Sequence, residues 1–309
     1  MIGIINILKP PGMTSQQVVG WVRRLLKVQK AGHTGTLDPG VPGVLPVCLG
    51  RATKVAQWLS DQDKSYRGEL TLGMTTDTQD GFGSVLEEQD AGGITTGRIA
   101  DAFSKFTGNI LQVPPMVSAV KHQGKRLYQL ARQGIEVERA PREVTIHRLE
   151  IVKISGQGSP HPRILFDITC SKGTYIRTLC ADLGVYLGTG GFMSYLIRTK
   201  SGPFALADAM TLEELRAMAE AGRSVETLTP LDTVLNHLPA IVVRDSALVR
   251  VQNGNPLYQA GVARGAGEAV ETGDLVRLYS SFGKLVAIAR AVENPVYKDQ
   301  FYYQPETVF

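Results

Sequence analysis

The sequence predicts an α+β fold with a mixed or antiparallel sheet, followed by a small C-terminal β-barrel-like module. Three observations carry this reading. Over the first 235 residues, strand-like and helix-like stretches do not alternate strictly, which argues against a doubly wound parallel sheet. After Leu238-Pro239 the pattern changes to short apolar stretches separated by turn residues. The length, 309 residues, suffices for about two domains with cores of their own. The division is placed at 1–237 and 238–309.

Each element has a local reason. Ile2–Leu8 is a continuous apolar run and reads as a buried strand. Thr14 or Ser15 can cap the helix that follows, because Val18, Val19, Val22, Leu25 and Leu26 recur on one helical face. A second helix is expected over Thr53–Ser60, and Tyr66–Leu72 alternates as a strand. Thr95 caps a helix carrying Ile99, Phe103 and Phe106. Residues 109–134 combine a Pro-Pro loop with a short basic helix ending at Gly134. Strands are expected at Val144–Ile154, Ile164–Cys170 and Gly191–Thr199, with a helix over Thr174–Leu187 and a polar-faced helix over 211–221. Beyond Pro239, strands at Ile241–Val243, Leu275–Leu278 and Leu285–Ala289 and a helix ending near Gly254 complete the reading.

Composition excludes several classes. No run of 18 apolar residues appears, so no membrane helix is expected. The N-terminal stretch has no cationic start and reads as a strand, not a signal peptide. Cys48, Cys170 and Cys180 have no ligand spacing and leave one thiol over, which fits a reducing cytosol, and no metal is expected. GxxxxGK[ST], a strand-to-helix GxGxxG and GxSxG are all missing, so ATP-driven, dinucleotide and serine-hydrolase chemistry lose support.

The net charge of +4 is unevenly spread. Residues 1–37 hold Lys9, Arg23, Arg24, Lys27 and Lys30 with no acid, and residues 119–135 hold Lys121, Lys125, Arg126 and Arg132 with none. Such runs suit a polyanion, and equally a solvated helix face.

Two loops carry candidate chemistry. In GHTGTLDPG (32–40), Asp38 is the first acid of the chain, set among glycines that let a ligand approach. Read alone, it can also be the capping carboxylate of a turn before Pro39. In SKGTYIR (171–177), Tyr175 and Arg177 stand at a helix start, where Arg177 can pair with a carboxylate and hold it ionised. Tyr66 in DKSYR (63–67) is a third candidate, or simply a strand aromatic. Asp77, Asp80 and Asp182 do not sit in comparably protected loops, so a two-carboxylate glycoside hydrolase is not supported.

Taken in order, KPPGMTS (9–15), AGHTGTLDPG (31–40), GVLPVCLGRATK (43–54), DKSYR (63–67), VPPMVSAVKHQGKRLYQLARQG (113–134), CSKGTYIRTLCADLG (170–184) and YLIRTKSG (195–202) resemble the TruB family of bacterial tRNA pseudouridine synthases. The resemblance runs over most of residues 3–235, and GHTGTLDP with SKGTYIR is its most specific part. The segment with VQNGNPL (251–257) is similar to the PUA-type RNA-binding module of that family.

The resemblance implies a pseudouridine synthase catalytic domain that isomerises uridine 55 in the tRNA T arm, without a cofactor. It implies that Asp38 is the catalytic aspartate, Tyr66 the tyrosine that stacks on the target base and serves as a proposed base, and Arg177 the partner of Asp38. Tyr175 and Leu196 would line the pocket, and His33 would enter the T loop. Lys9 and Lys64, with Lys121, Lys125, Arg126 and Arg132 of an insertion at about 109–142, would serve substrate binding. The expected partner is tRNA; a monomer is expected, with no obligate protein partner and no membrane. The alternative is a non-catalytic tRNA-binding or tRNA-folding protein on the same scaffold. A guide-dependent relative acting on other RNA ranks lower, since the chain has no long basic tail. One departure is local: Gly40-Val41-Pro42-Gly43 follows Asp38-Pro39, where the family has a bulky or variable residue and then Ala-Ser/Thr-Gly.

Overall fold

The computed structural model describes residues 1–118, 120–131, 133–265, 270–293 and 301–309, without the side chains of Lys121, His122, Arg126 and Tyr128. Among these residues, nine strands form one large sheet. Its main path runs Gly3–Lys9, Gly43–Leu49, Gly191–Ser201, Lys64–Leu72, Arg163–Cys170, Arg142–Ser155, Gly108–Gln112. Ala31–His33 and Phe204–Ala205 pair beside it. The pairings are antiparallel except where Arg198 meets Gly43 in parallel, so the sheet is mixed.

That parallel contact joins the two halves of the sheet, and it dictates a glycine. Gly43 has φ +126°, and a Cβ there would lie 2.4 Å from the Arg198 carbonyl oxygen and 2.5 Å from its nitrogen. Both are backbone atoms of a central strand and cannot step aside.

One face of the sheet is covered by helices. On Arg163–Cys170, alternate residues Ile164, Phe166, Ile168 and Cys170 point into the core. They meet Leu179, Cys180 and Leu183 of the Ile176–Leu187 helix and Ile99, Ala102 and Phe103 of the Thr96–Lys105 helix. The Phe103 and Phe166 rings pack edge to face at 5.8 Å. The Ser15–Leu25 helix begins with a capping box between Thr14 and Gln17 and buries Val18, Val19 and Val22 against the first strands. The helix expected at Thr53–Ser60 is in part a 3-10 turn. Gly50–Val55 winds tightly, without a side-chain cap, before Ala56–Ser60 becomes α-helical.

The C-terminal strands form an open five-stranded sheet where a closed barrel was expected. Its order is Val262–Arg264, Ala240–Val243, Leu275–Tyr279, Leu285–Glu293, Phe301–Val308. Ile288, Leu275, Leu285 and Phe309 of this sheet cluster with Ile4, Val44, Val55 and Val234. Lys54 Nζ donates to the Val308 carbonyl at 2.7 Å across the same junction. Cys48, Cys170 and Cys180 are buried free thiols, and burial pushes Cys48 and Cys170 up to about 12. Among the described residues, no helix is long and apolar enough to cross a membrane.

Candidate active site

The loop between Ala31–His33 and Gly43–Leu49 carries Asp38, and it is tied down at several points. Leu37 and Val41 are buried in the core on either side of the carboxylate. Ser15 Oγ donates to the Leu37 carbonyl at 3.1 Å and accepts from the Leu37 N–H at 2.8 Å. Val41 N–H donates to the Asp38 carbonyl at 3.0 Å, closing a β-turn with Pro39 in its favoured second position. The backbone closes the turn, and the carboxylate is directed to Arg177.

Two buried cations hold this loop from below. Lys9 Nζ donates to the carbonyls of Pro39 at 3.0 Å, Pro10 at 2.9 Å and Met13 at 2.6 Å. Arg198 donates from Nε to the Val44 carbonyl at 2.7 Å and from Nη2 to the Gly35 carbonyl at 3.0 Å. Its own N–H donates to the Pro42 carbonyl at 3.1 Å. Both side chains are fully enclosed, so each stands on hydrogen bonds to carbonyl oxygens and not on hydration.

Arg177 is the second residue of the Ile176–Leu187 helix. Gln112 sets the start of that helix. Its side-chain oxygen accepts from the Tyr175 N–H at 3.0 Å, and its amide nitrogen donates to the Tyr175 carbonyl at 3.2 Å. Arg177 Nε then lies 3.0 Å from Asp38 Oδ2. Nη1 donates to the Thr78 carbonyl at 3.1 Å and Nη2 to the Val117 carbonyl at 2.9 Å. Nη1 also lies 3.7 Å from Asp80 Oδ2. The guanidinium is 5% exposed while the Asp38 carboxylate is 43% exposed, so the acid faces the open side and the base is fixed behind it.

Sequence reasoning set Asp80 aside, but the structure puts it in a protected turn. It is buried, accepts from Thr78 Oγ1 at 2.7 Å and from the Phe82 N–H at 3.0 Å, and shares Arg177 with Asp38.

Asp38, Lys64, Tyr66, Tyr175, Arg177 and Leu196 line one cavity of about 280 Å³. That is just below the range of about 300–1,000 Å³ typical of ligand sites. Lys9, expected among the substrate contacts, lies beneath the loop and outside this lining. His33 is half-buried on the strand before the loop, and its Nδ1 accepts from the Gly35 N–H at 3.3 Å. Lys125 is exposed on a tight hairpin that pairs Lys121–His122 with Lys125–Arg126. The side chains of Lys121 and Arg126, and Arg132 as a whole, lie outside the described residues.

Burial dominates the electrostatics. It raises the Asp38 carboxyl above its ordinary value; Arg177 and Lys9 pull it down, and Asp80 pushes it further up. The hold of Arg177 on the ionised carboxylate is therefore opposed by burial and by Asp80. Burial lowers Lys9 to about 8, opposed by Asp38 and reinforced by Arg198. Burial likewise lowers Lys64 to about 8, with Arg198 adding to it. Burial raises the Tyr66 phenol, and the neighbouring Arg198 guanidinium opposes that rise. Burial and Arg198 lower His33, leaving a neutral ring. The wall thus offers one carboxylate, an aromatic face and several cations, a set suited to a nucleotide with its phosphate.

Arg198, Asp80 and Gln112 are the functional residues that sequence reasoning missed. The available signals were a charge inside the alternating strand GFMSYLIRTKS, the second acid of the turn-rich TTDTQDGFG, and the amide that ends NILQ shortly before Pro-Pro.

Comparison with known proteins gives the family. The sequence model described as TruB family pseudouridylate synthase, N-terminal domain, matches residues 23–176. That of the tRNA pseudouridylate synthase B C-terminal domain matches residues 177–241. A protein named tRNA pseudouridine synthase B from Pelotomaculum thermopropionicum is 48% identical over 308 residues, covering 100% of this chain and 97% of the relative. The chain belongs to the TruB family. A TruB-family relative of the same name from Symbiobacterium thermophilum is 56% identical, with 82% of each chain covered. Among solved structures, a crystal structure of a Cbf5–Nop10–Gar1 complex aligns with a TM-score of 0.75 at 32% identity, covering 99% of this chain and 84% of the other. An H/ACA RNP bound to a substrate RNA containing 2′-deoxyuridine aligns with a TM-score of 0.74 at 30% identity, covering 99% of this chain and 84% of the other. The boundary between the two TruB sequence models falls between Ile176 and Arg177, inside one helix, while the large sheet runs across it.

Proposed function

We propose that this enzyme isomerises uridine 55 in the T arm of tRNA to pseudouridine, with Asp38 as the catalytic carboxylate. The relatives named tRNA pseudouridine synthase B support an enzyme that makes pseudouridine in tRNA. The observation that carries the reading is the 3.0 Å contact of Arg177 Nε with Asp38 Oδ2 in a cavity wall shared with Tyr66.

The reaction balances within the nucleotide. The C1′–N1 bond breaks, the base turns, C5 bonds to C1′, the C5 proton leaves and N1 ends protonated. The ionised Asp38 carboxylate supplies the nucleophile or the cation stabiliser. Tyr66 supplies the face on which the base rests. Burial raises its phenol, so service as a base depends on the Arg198 guanidinium beside it. Leu196 and Tyr175 confine the ring from the sides.

The target base reaches the cavity by flipping out of the loop, at a cost of a few kcal/mol. His33, neutral and at the edge of the loop that carries Asp38, fills the vacated stack. The basic hairpin that presents Lys125 grips phosphates, and Lys121, Arg126 and Arg132 belong to the same insertion. Residues 238–309 form a PUA-type RNA-binding module, and the protein works in the cytoplasm as a monomer. Lys9 acts through the loop it holds, while Arg198 both holds the loop and stands in the cavity wall beside Tyr66.

The test is a T-arm stem-loop carrying tritium at C5 of the target uridine. Tritium is expected in solvent at the rate of pseudouridine formation, and RNA binding is expected to weaken steeply with salt. Salt-independent binding without tritium release would refute the assignment.

A further inference from the structure

The residue that follows Asp38-Pro39 is Gly40, and the structure shows what occupies the space above it. A Cβ on Gly40 would lie 2.2 and 2.3 Å from two ring atoms of Phe82. Phe82 is therefore seated on the bare Cα of Gly40, yet 78% of it is exposed. Its turn is rigid: its N–H donates to Asp80 Oδ1 at 3.0 Å, and Gly81 N–H donates to the Met193 carbonyl at 3.0 Å. Asp80 in turn shares Arg177 with Asp38. The ring is thus presented beside the catalytic loop on a backbone locked to the same guanidinium. Val117, also exposed, stands on the other side of Arg177 and lines the cavity.

We propose that Phe82 is an RNA-binding residue that stacks on an unpaired base next to the flipped uridine. Three observations favour a base over a phosphate or a second protein. The ring is flat, apolar and pre-positioned, so little side-chain freedom is lost on contact. Residues 73–88 contain Asp77, Asp80, Glu87 and Glu88 and no Lys or Arg, so the hairpin repels phosphate. Gly40 removes the one side chain that would displace the ring from the rim. The departure at Gly40 and the aromatic at 82 then form one device.

The proposal rests on the chain's acting on the tRNA T arm, and the test separates the two. A T-arm stem-loop carries 2-aminopurine beside the target, and binding is followed by its quenching. Phe82→Ala and Phe82→Leu are expected to weaken binding about 5- to 100-fold and to abolish the quenching, while Phe82→Tyr and Phe82→Trp keep both. Gly40→Ala, which evicts the ring, is expected to lose the same quenching, and adding Phe82→Ala to it is expected to weaken binding no further. Urea melts confirm that each variant folds. Wild-type affinity and quenching in Phe82→Leu would overturn the stacking role while leaving the enzyme's assignment intact. A wild-type protein that fails to bind the stem-loop would overturn both.

Discussion

Arg177→Lys tests how the site is held, because it keeps the charge and removes the fork. Arg177 uses three nitrogens on four partners: Asp38, Asp80 and the carbonyls of Thr78 and Val117. A lysine offers one nitrogen and cannot span them. Hydrogen bonds to charged groups contribute about 1.5–3 kcal/mol each, so two lost carbonyl contacts set an upper bound of about 3–6 kcal/mol. One contact recovered by the ammonium brings the expected loss to about 1.5–3 kcal/mol. Turnover is expected to fall about 100-fold, the effect of misplacing a reacting group by about 1 Å. T-arm affinity should change little, since the guanidinium is almost fully enclosed. Urea unfolding at neutral pH gives the stability, and single-turnover pseudouridine formation at saturating RNA gives the rate. A variant within about 0.5 kcal/mol and threefold of the parent would refute the idea that fork geometry, beyond mere charge, positions Asp38.

Three further outcomes follow from the same contacts. The folded state raises the Asp38 pKa, so it binds that proton more tightly than the unfolded chain; stability falls as pH rises through the ordinary and then the folded value. Asp38→Asn should therefore gain stability over the parent as pH rises above the ordinary carboxylate value of about 4 in urea melts, and a gap that narrows with pH would contradict this. Gly43→Ala should cost about 3 kcal/mol or more through overlap with the Arg198 backbone and its positive φ, and a melt like the parent's would show that the strands separate easily. Gln112→Leu leaves the half-buried Tyr175 N–H without its partner, while the Tyr175 carbonyl keeps the Leu179 N–H; a loss of about 1–3 kcal/mol and slowed turnover are expected, and an unchanged melt would discount the clamp.

What could be read from the sequence was local or ordered along the chain. The Thr14 cap and the Val18, Val19, Val22 face define the first helix, and the alternation in Arg163–Cys170 shows as a strand. Asp38, Tyr66 and Arg177 stand in motifs whose order is specific, and the fold brings them to one cavity. What could not be read depends on contacts between distant segments. Arg198 meets the Gly35 carbonyl across 163 positions and Gln112 meets Tyr175 across 63, so neither role has a local pattern. Asp80 reads as one turn acid among several until Arg177 is placed beside it. Pro46 argues against a strand over Gly43–Leu49, yet the segment is a strand with all seven residues buried. Charge balance at Asp38 is illegible for a related reason: motif spacing shows a partner but not the burial that opposes it.

The most direct test of Asp38 as the catalytic carboxylate is single-turnover pseudouridine formation by Asp38→Asn at saturating tRNA, where binding no longer limits the rate. The account predicts wild-type tRNA affinity, no pseudouridine and no tritium release from C5. Pseudouridine formed by Asp38→Asn at the parent's rate would contradict it.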